Sequence, residues 1–102
     1  MIKNVGQLMK GDTFYLITMD SCDRIASVSV EIVSDVETAK YGKIIKYSNR
    51  KFYAYNTDLE NICTSPYYGL VICTNKETVI GILEEDKRMY MNNYRIMIEK
   101  LS

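Results

Sequence analysis

The residues best suited to chemistry in this sequence are its three cysteines, because the chain contains no histidine. Without histidine, the Ser-His-Asp and Cys-His arrangements that activate a nucleophile cannot form, and most catalytic zinc sites are excluded as well. Cys22 lies between Asp20 and Asp23, and the two negative charges disfavour a reactive thiolate. Cys63 and Cys73 have apolar neighbours, so we expect them to be reduced residues of the core.

The acidic residues are equally poor candidates for catalysis or metal binding. Asp20 and Asp23 fall in a predicted turn, where two carboxylates are usually solvated. Glu84, Glu85 and Asp86 are consecutive, so on a helix they point in three directions and form no catalytic pair. The five glycines are scattered and form no phosphate-binding loop. The sequence therefore predicts a protein that is not an enzyme and that needs no cofactor or metal.

One group of residues remains as a candidate binding site. Residues 38–57 contain five basic residues and no acidic one, although the formal net charge of the whole chain is zero. Aromatic residues are interleaved with these cations, and flat rings beside cations on a sheet suit base stacking and phosphate contacts. The candidate binding residues are Lys43, Lys46, Arg50, Lys51, Tyr53 and Tyr55.

Three interpretations of this basic-aromatic segment are open. It can bind single-stranded nucleic acid, or it can bind a protein partner, since tyrosine and arginine are favoured anchors of protein interfaces. It can also be plain surface, because tyrosines favour strands and lysines protect a sheet edge from aggregation. We favour a protein partner and keep single-stranded nucleic acid as the alternative.

The basic-aromatic segment is predicted to form a β-hairpin over residues 43–56, with its turn at residues 49 and 50. This register pairs Tyr47 with Phe52 on the face that is directed at the core. The opposite face is expected to point outward. The neighbouring side chains on the outward face are predicted to be Lys46, Lys51, Tyr53 and Tyr55.

Short strands account for most of the remaining chain before residue 74. The predicted strands outside the hairpin are residues 13–19, 25–33 and 68–73. In the second of these, alternation is strict and indicates a strand with one apolar and one solvated face. The apolar face consists of Ala26, Val28, Val30 and Ile32. Residues 34–42 fit either a two-turn helix or a long loop, and single helical turns are expected after Asn4 and at residues 57–60.

The last quarter of the chain is predicted to form one long amphipathic helix. Thr74 and Glu77 have the spacing of a capping box, in which each satisfies a free backbone N–H group of the first turn. Apolar side chains follow on one broad arc of this helix. The residues on that arc that we expect to close the core are Leu83, Tyr90, Tyr94 and Met97.

This helix also carries a second apolar stripe at heptad spacing, formed by Ile82, Met89 and Ile96. A core-facing helix needs an apolar face of little more than about 100°, and this helix exceeds that width. Its roughly 39 Å length also exceeds the dimensions of a compact body of this size. We therefore expect a homodimer that forms through this stripe. In the alternative, Asn92 and Asn93 end or bend the helix, and both halves fold onto the body.

The fold class predicted from these elements is mainly β with a long C-terminal α-helix (α+β), in a single domain of residues 1–102. The element order over about residues 12–73 resembles the small five-stranded antiparallel barrel of the Src-homology-three-like kind, with a helix added at about residues 75–101. The resemblance rests on element order alone, so it carries over no functional residues. An open antiparallel sheet covered by the helix is the alternative.

Composition places the protein among soluble globular chains. Hydrophobic residues make up 47% and charged residues 25%, and we expect no signal peptide, no membrane span and a cytoplasmic location. The expected function is that of a small non-enzymatic interaction module or inhibitor-type accessory protein, with single-stranded nucleic-acid binding as the alternative. The abundance of Ile, Lys, Asn and Tyr is typical of AT-rich genomes and suggests a phage or mobile-element accessory protein.

Overall fold

Two packed β-sheets and one long helix make up the fold in a computed structural model, which describes residues 4–20, 24–55, 64–67 and 69–101. A single 3-10 turn, Val5–Gln7, precedes the strands. The strands are β1 (Thr13–Met19), β2 (Ile25–Ile32), β3 (Asp35–Ala39), β4 (Gly42–Tyr47), β5 (Arg50–Tyr55), β6 (Thr64–Tyr67) and β7 (Leu70–Cys73), and the helix is α1 (Lys76–Leu101).

All strand pairs in the described part of the chain are antiparallel. The first sheet has the order β2-β1-β7-β6, and the second has the order β3-β4-β5. The chain crosses from one sheet to the other at residues 33 and 34. There the N–H of Val33 donates to the Asp12 carbonyl at 2.8 Å, and the N–H of Ser34 donates to the Lys46 carbonyl at 2.8 Å. These bonds fix the angle at which the second sheet leaves the first.

The main core lies between the two sheets. Phe14 of β1 contacts the rings of Tyr47 and Phe52 edge-on, with centroid distances of 5.1 and 5.6 Å. Each buried side chain of this size stabilises the fold by roughly 1.5–3 kcal/mol, and edge-on rings add to that. The other members of this core are Val5, Leu8, Leu16, Val33, Ile45, Ala54 and Ile72.

A smaller core lies on the other face of the first sheet, under the start of α1. It consists of Ile17, Cys73 and Val79, all buried. Val79 is the one buried residue of α1 among its described side chains. The helix is therefore attached to the body mainly through its first turns.

The predicted combination of a β-rich body and a long C-terminal helix is confirmed. Closure of the strands into a five-stranded barrel is not confirmed, because the described strands pair within two sheets. The helix covers only part of one sheet face, so the alternative of an open sheet covered by the helix is also only partly realised. The strand predicted at residues 13–19 has the bounds of β1, and the short turn after Asn4 is present, with the Asn4 N–H donating to Gln7 Oε1 at 2.9 Å.

Three local predictions were wrong. Residues 34–42 form neither a helix nor a loop, because residues 35–39 pair with β4 as strand β3. Residues 64–67 were not among the predicted strands, yet they form the edge strand β6, where the missing N–H of Pro66 breaks no ladder bond. The hairpin turn lies at Ser48 and Asn49, not at residues 49 and 50, because Ser48 and Asn49 adopt the positive φ angles (43° and 61°) of a tight two-residue turn. The predicted Tyr47–Phe52 pair is therefore wrong, since Tyr47 pairs with Arg50 and Phe52 pairs with Ile45.

The helix start is also displaced from its prediction. The Asn75 side-chain oxygen accepts hydrogen bonds at 2.8 Å from both the N–H and the hydroxyl of Thr78. Asn75 therefore caps α1, and the predicted Thr74 and Glu77 capping box is not the cap. The predicted helical turn at residues 57–60 lies outside the described residues, as do Cys22, Cys63 and most of the predicted turn after Asp20.

Candidate functional site

The first half of α1 is fixed to the sheet by a small polar cluster. Arg24, just before β2, forms an ion pair of 3.5 Å with Asp86. Its guanidinium carbon also lies 3.5 Å from the centroid of the Tyr90 ring, in cation–π geometry. The Tyr90 and Tyr94 hydroxyls are 2.6 Å apart, and their rings meet edge-on at 4.6 Å. This cluster marks the place where the helix leaves the body.

Hydrogen bonds within this cluster shift the pKa values of Arg24, Tyr90 and Tyr94. Desolvation lowers the pKa of Arg24, but hydrogen bonds to Tyr90 and Asp86 raise it more, so the net shift is upward. The hydrogen bond between Tyr90 and Tyr94, together with the one from Arg24, lowers the pKa of Tyr90, and the Tyr90–Tyr94 hydrogen bond raises the pKa of Tyr94. Either hydroxyl can donate in the Tyr90–Tyr94 pair, and Asp86 balances the positive charge of Arg24 at the edge of the sheet.

The second half of α1 projects beyond the body. Every side chain from Lys87 to Leu101 is exposed, and the molecule measures 58 × 27 × 22 Å. A helix of 26 residues is about 39 Å long, so the long dimension reflects the projecting half. The apolar side chains exposed along it are Met89, Tyr90, Met91, Tyr94, Ile96, Met97, Ile98 and Leu101.

The roles that the sequence assigns to the two apolar stripes of α1 differ from those in the structure. Ile82, predicted to form the dimer seam, is partly buried against the core of Ile17, Cys73 and Val79. Met89 and Ile96, the other two seam residues, are exposed, at 58% and 41%. The four residues expected to close the core are exposed instead: Leu83, Tyr90, Tyr94 and Met97. The helix therefore presents more apolar surface to solvent than the sequence indicates.

A second exposed apolar surface lies on β2. Val28, Val30 and Ile32 alternate along this edge strand and are exposed, the last two at 61% each. They pair with Ile17, Tyr15 and Thr13 of β1, so they share the face of the first sheet that carries α1. The sequence predicted this alternating face, but only the structure shows that the body leaves it uncovered. We call Val28, Val30 and Ile32 the β2 face.

The predicted basic-aromatic site is only partly assembled. Lys46 and Lys51 pair directly across the hairpin, a pairing that the sequence did not predict, and Tyr53 and Tyr55 lie next along β5 on the same outward face. Their rings are 6.4 Å apart with planes inclined by 24°. The Lys51 amine lies 6.0 Å from the centroid of the Tyr53 ring. Four of the six candidate residues therefore form one continuous surface.

Three observations weaken the positive character of that surface. Lys46 forms an ion pair with Glu37 of the neighbouring strand β3, and the hydrogen bond to Glu37 raises the pKa of this lysine despite its partial desolvation. Asp35 pairs with Lys46 across the sheet and adds a second carboxylate to the same face. Lys43 and Arg50 occupy positions that alternate with the outward ones, at opposite ends of the hairpin. Strand β3 was not predicted from the sequence, so the acidic residues Asp35 and Glu37 were not expected beside Lys46.

A shallow apolar cavity of about 210 Å³ lies at the open end of the hairpin, away from its turn. Tyr41, Tyr53 and Tyr55 line it together with Lys40 and Lys43. The Lys40 amine lies 5.3 Å from the centroid of the Tyr41 ring. Lys43 thus lines the same cavity as Tyr53 and Tyr55, although its strand position alternates with theirs.

The described part of the chain contains one cysteine, Cys73. Cys73 is fully buried, as predicted for a core residue, and burial raises the pKa of its thiol to about 11, so the thiol is protonated and unreactive. Within residues 4–20, 24–55 and 69–101, no cluster of three or more Asp, Glu, Cys or His side chains has the arrangement needed to hold a metal ion.

The chain matches no protein-family model, and it has no significant match among curated proteins or solved structures. No helix in the described part of the chain combines the length and the apolar character that crossing a membrane requires.

Proposed function

We propose that this protein is a small non-enzymatic interaction module that acts as a homodimer through the projecting half of α1. The observation that supports this proposal is the uncovered apolar surface of that half, from Lys87 to Leu101. Monomeric soluble proteins rarely expose a large continuous apolar patch, and such patches usually mark sites of association. An identical helix has the same pattern of side chains and is the simplest partner.

The dimer has a consequence for the macromolecular partner. Each copy carries one hairpin with the exposed residues Arg50, Lys51 and Tyr55, so the dimer presents this surface twice. Two linked weak sites bind a repetitive or dimeric partner much more tightly than one site does. An accessory or inhibitor-type protein that blocks a larger protein would act in this way.

Substitution of Met89 tests the homodimer. Met89 is 58% exposed, so Met89→Glu should leave each protomer folded. It should also place a charge in the contact between the two helices of the proposed homodimer. Sedimentation equilibrium should show a dimer for the unchanged protein and a monomer for Met89→Glu, with equal circular dichroism spectra. Met89→Leu is the matched control and should remain dimeric. A monomeric unchanged protein at concentrations of about 100 µM, well above typical dimer dissociation constants, would disprove the proposed homodimer.

A second candidate function is the binding of single-stranded nucleic acid on the outward face of the hairpin. The observation that favours it is the near-parallel arrangement of Tyr53 and Tyr55 beside Lys51. Aligned rings next to a cation form a platform on which bases stack without sequence preference. The ion pair between Lys46 and Glu37 removes one cation from this platform, which is why this function ranks second.

Fluorescence anisotropy with a labelled oligothymidine tests the second candidate. Binding should weaken steeply with added salt, because phosphate contacts release counterions. The double substitution Tyr53→Ala and Tyr55→Ala should abolish it, whereas Tyr41→Ala, an exposed tyrosine on the neighbouring turn, serves as the control. Absent or salt-insensitive binding would rule this function out.

A further inference from the structure

We propose that the second copy docks in the antiparallel orientation, so that the projecting half of one helix lies along the first half of the other helix and over the β2 face of that protomer. This inference rests on the proposed homodimer and goes beyond it. It fixes the orientation of the two helices and adds a sheet surface to the interface.

The β2 face is the first reason for this geometry. Its apolar residues are more exposed than the polar residues that alternate with them, since Ser29 and Glu31 are half-buried. Glu31 accepts hydrogen bonds from Ser29 at 3.2 Å and from Ser48 at 3.0 Å, so the polar side of the strand is held toward the second sheet. The apolar side of β2 is thereby fixed facing outward.

The path of α1 places its first half beside this face. The helix follows Cys73, which pairs with Tyr15, and Tyr15 in turn pairs with Val30 of β2. Thirteen residues after Cys73, the helix meets Arg24 at the opposite end of β2, through Asp86. The first half of α1 therefore crosses the same sheet face that carries the β2 face, and the projecting half starts where the sheet ends.

The distribution of charged residues along α1 favours the antiparallel orientation of the two helices. Residues 76–86 of α1 contain four acidic residues and one basic residue, whereas residues 87–101 contain four basic residues and one acidic residue. A parallel pair would place acid against acid and base against base along the whole seam. An antiparallel pair places the acidic half of each helix against the basic half of the other, which is the arrangement that interhelical ion pairs favour.

A dimer with a two-fold axis covers the projecting half of α1 and the β2 face of both protomers at once. In a closed two-fold dimer, any contact made by one copy is repeated by the other. The projecting 15 residues of the helix extend about 22 Å, while the β2 face from residue 28 to residue 32 extends about 14 Å. One projecting half is therefore long enough to cover the β2 face of its partner, and the same operation covers the second β2 face.

Distance measurements between spin labels test the orientation. A single label is attached at Lys100→Cys in a chain in which Cys22 and Cys63 are replaced by serine, while the buried Cys73 remains. An antiparallel dimer places the two labels more than about 30 Å apart, because each residue 100 lies far from the two-fold axis. A parallel dimer places them within about 20 Å, and that result would overturn the proposed orientation.

The contribution of the β2 face is tested by Val30→Glu. Because Val30 is exposed in the protomer, this change should leave the fold intact and weaken dimerisation at least tenfold in sedimentation experiments. Thr38→Glu, at an exposed position of the second sheet, is the matched control and should have no effect. Unchanged dimerisation of the Val30 variant would remove the β2 face from the interface. The label distances need no change in β2, so they decide the orientation even if Val30→Glu folds poorly.

These outcomes separate the inference from the proposed function. A monomeric unchanged protein disproves the homodimer, and the geometry falls with it. A dimer with short label distances leaves the homodimer in place and refutes the antiparallel orientation. A dimer that tolerates Val30→Glu refutes only the contact with the β2 face.

Discussion

The guanidinium of Arg24 lies over the ring of Tyr90, 3.5 Å from its centroid, and joins two parts of the chain that are 66 positions apart. On one side of this contact α1 packs on the sheet through Val79 and Ile82. On the other side every helix side chain is exposed. The contact therefore separates the part of α1 that belongs to the fold from the part that is available to a partner.

Substitution of Arg24 should loosen this junction. We expect Arg24→Ala to increase amide hydrogen exchange in residues 84–90, because the Asp86 ion pair and the stacking on Tyr90 are both lost. Arg24→Lys should have a smaller effect, since it keeps the charge but not the planar group that stacks on the ring. Exchange rates in β4 and β5, which do not contact Arg24, provide the internal control. Equal exchange in all three proteins would contradict the assigned role.

Ile82 and Met89 should respond in opposite ways to the same change. Ile82 packs against Ile17 and Cys73, so Ile82→Glu would bring a charge against the small core and should cost roughly 2–4 kcal/mol in the free energy of unfolding. Met89→Glu should change the unfolding of the isolated protomer by less than about 0.5 kcal/mol. Urea denaturation of both variants at concentrations low enough to populate monomers distinguishes them. Similar losses would show that Met89 also belongs to the core.

Two glycine-to-alanine substitutions should change the stability of the fold in opposite directions. A Cβ at Gly42 would lie 2.1 Å from the Ala54 carbonyl oxygen and 2.8 Å from the Tyr55 Cα, both of which are backbone atoms of the paired strand. Gly42→Ala should therefore destabilise the fold by roughly 2–4 kcal/mol. Gly81 lies in α1 with open space around it, and Gly81→Ala should stabilise the helix by roughly 0.5–1 kcal/mol. Thermal unfolding of the two variants gives the signs directly.

The stability of the protein should depend on Cys73 at high pH. Burial raises the pKa of this thiol from 9.0 to about 11, so the folded protein retains its proton between these values while the unfolded chain releases it. Proton release then favours unfolding, and stability should fall as pH rises from about 9 to 11, by at most about 3 kcal/mol. Because tyrosines also ionise in this range, the measured quantity is the difference in unfolding free energy between the unchanged protein and Cys73→Ala. A difference that does not vary with pH would contradict this prediction.

Added salt should weaken the dimer if the helices are antiparallel. Opposite charges then face each other across the seam, and salt screens their attraction. In a parallel dimer, salt would screen repulsion and strengthen association instead. Sedimentation equilibrium between 50 mM and 500 mM sodium chloride measures the dissociation constant, and the variant Glu84→Lys with Glu85→Lys should show a reduced or reversed dependence. An unchanged protein that associates more tightly at high salt would contradict the antiparallel arrangement.

Much of the fold follows from local sequence patterns. The alternation and apolar runs of residues 13–19 and 25–33 specified β1 and β2 nearly to the residue, and the long apolar period specified α1. The hairpin was predicted with its faces correct, although its turn lies one residue earlier. A shift of the turn by one position moves the pairing register by two, so the side chains stay on their predicted faces. Strand β3 has a weak local pattern, and its pairing with β4 decides its structure.

What the sequence determined by itself is the set of surfaces this chain possesses: an alternating apolar strand, a basic-aromatic hairpin, and a helix with too wide an apolar arc for one core. Only the tertiary structure decided which of those surfaces the chain covers. The sheet is short, and Arg24 fixes α1 at its edge, so the body buries Val79 and Ile82 but leaves Met89, Met97 and the β2 face exposed. Periodicity reports which side chains share a face, whereas burial depends on the dimensions of the body against which that face packs.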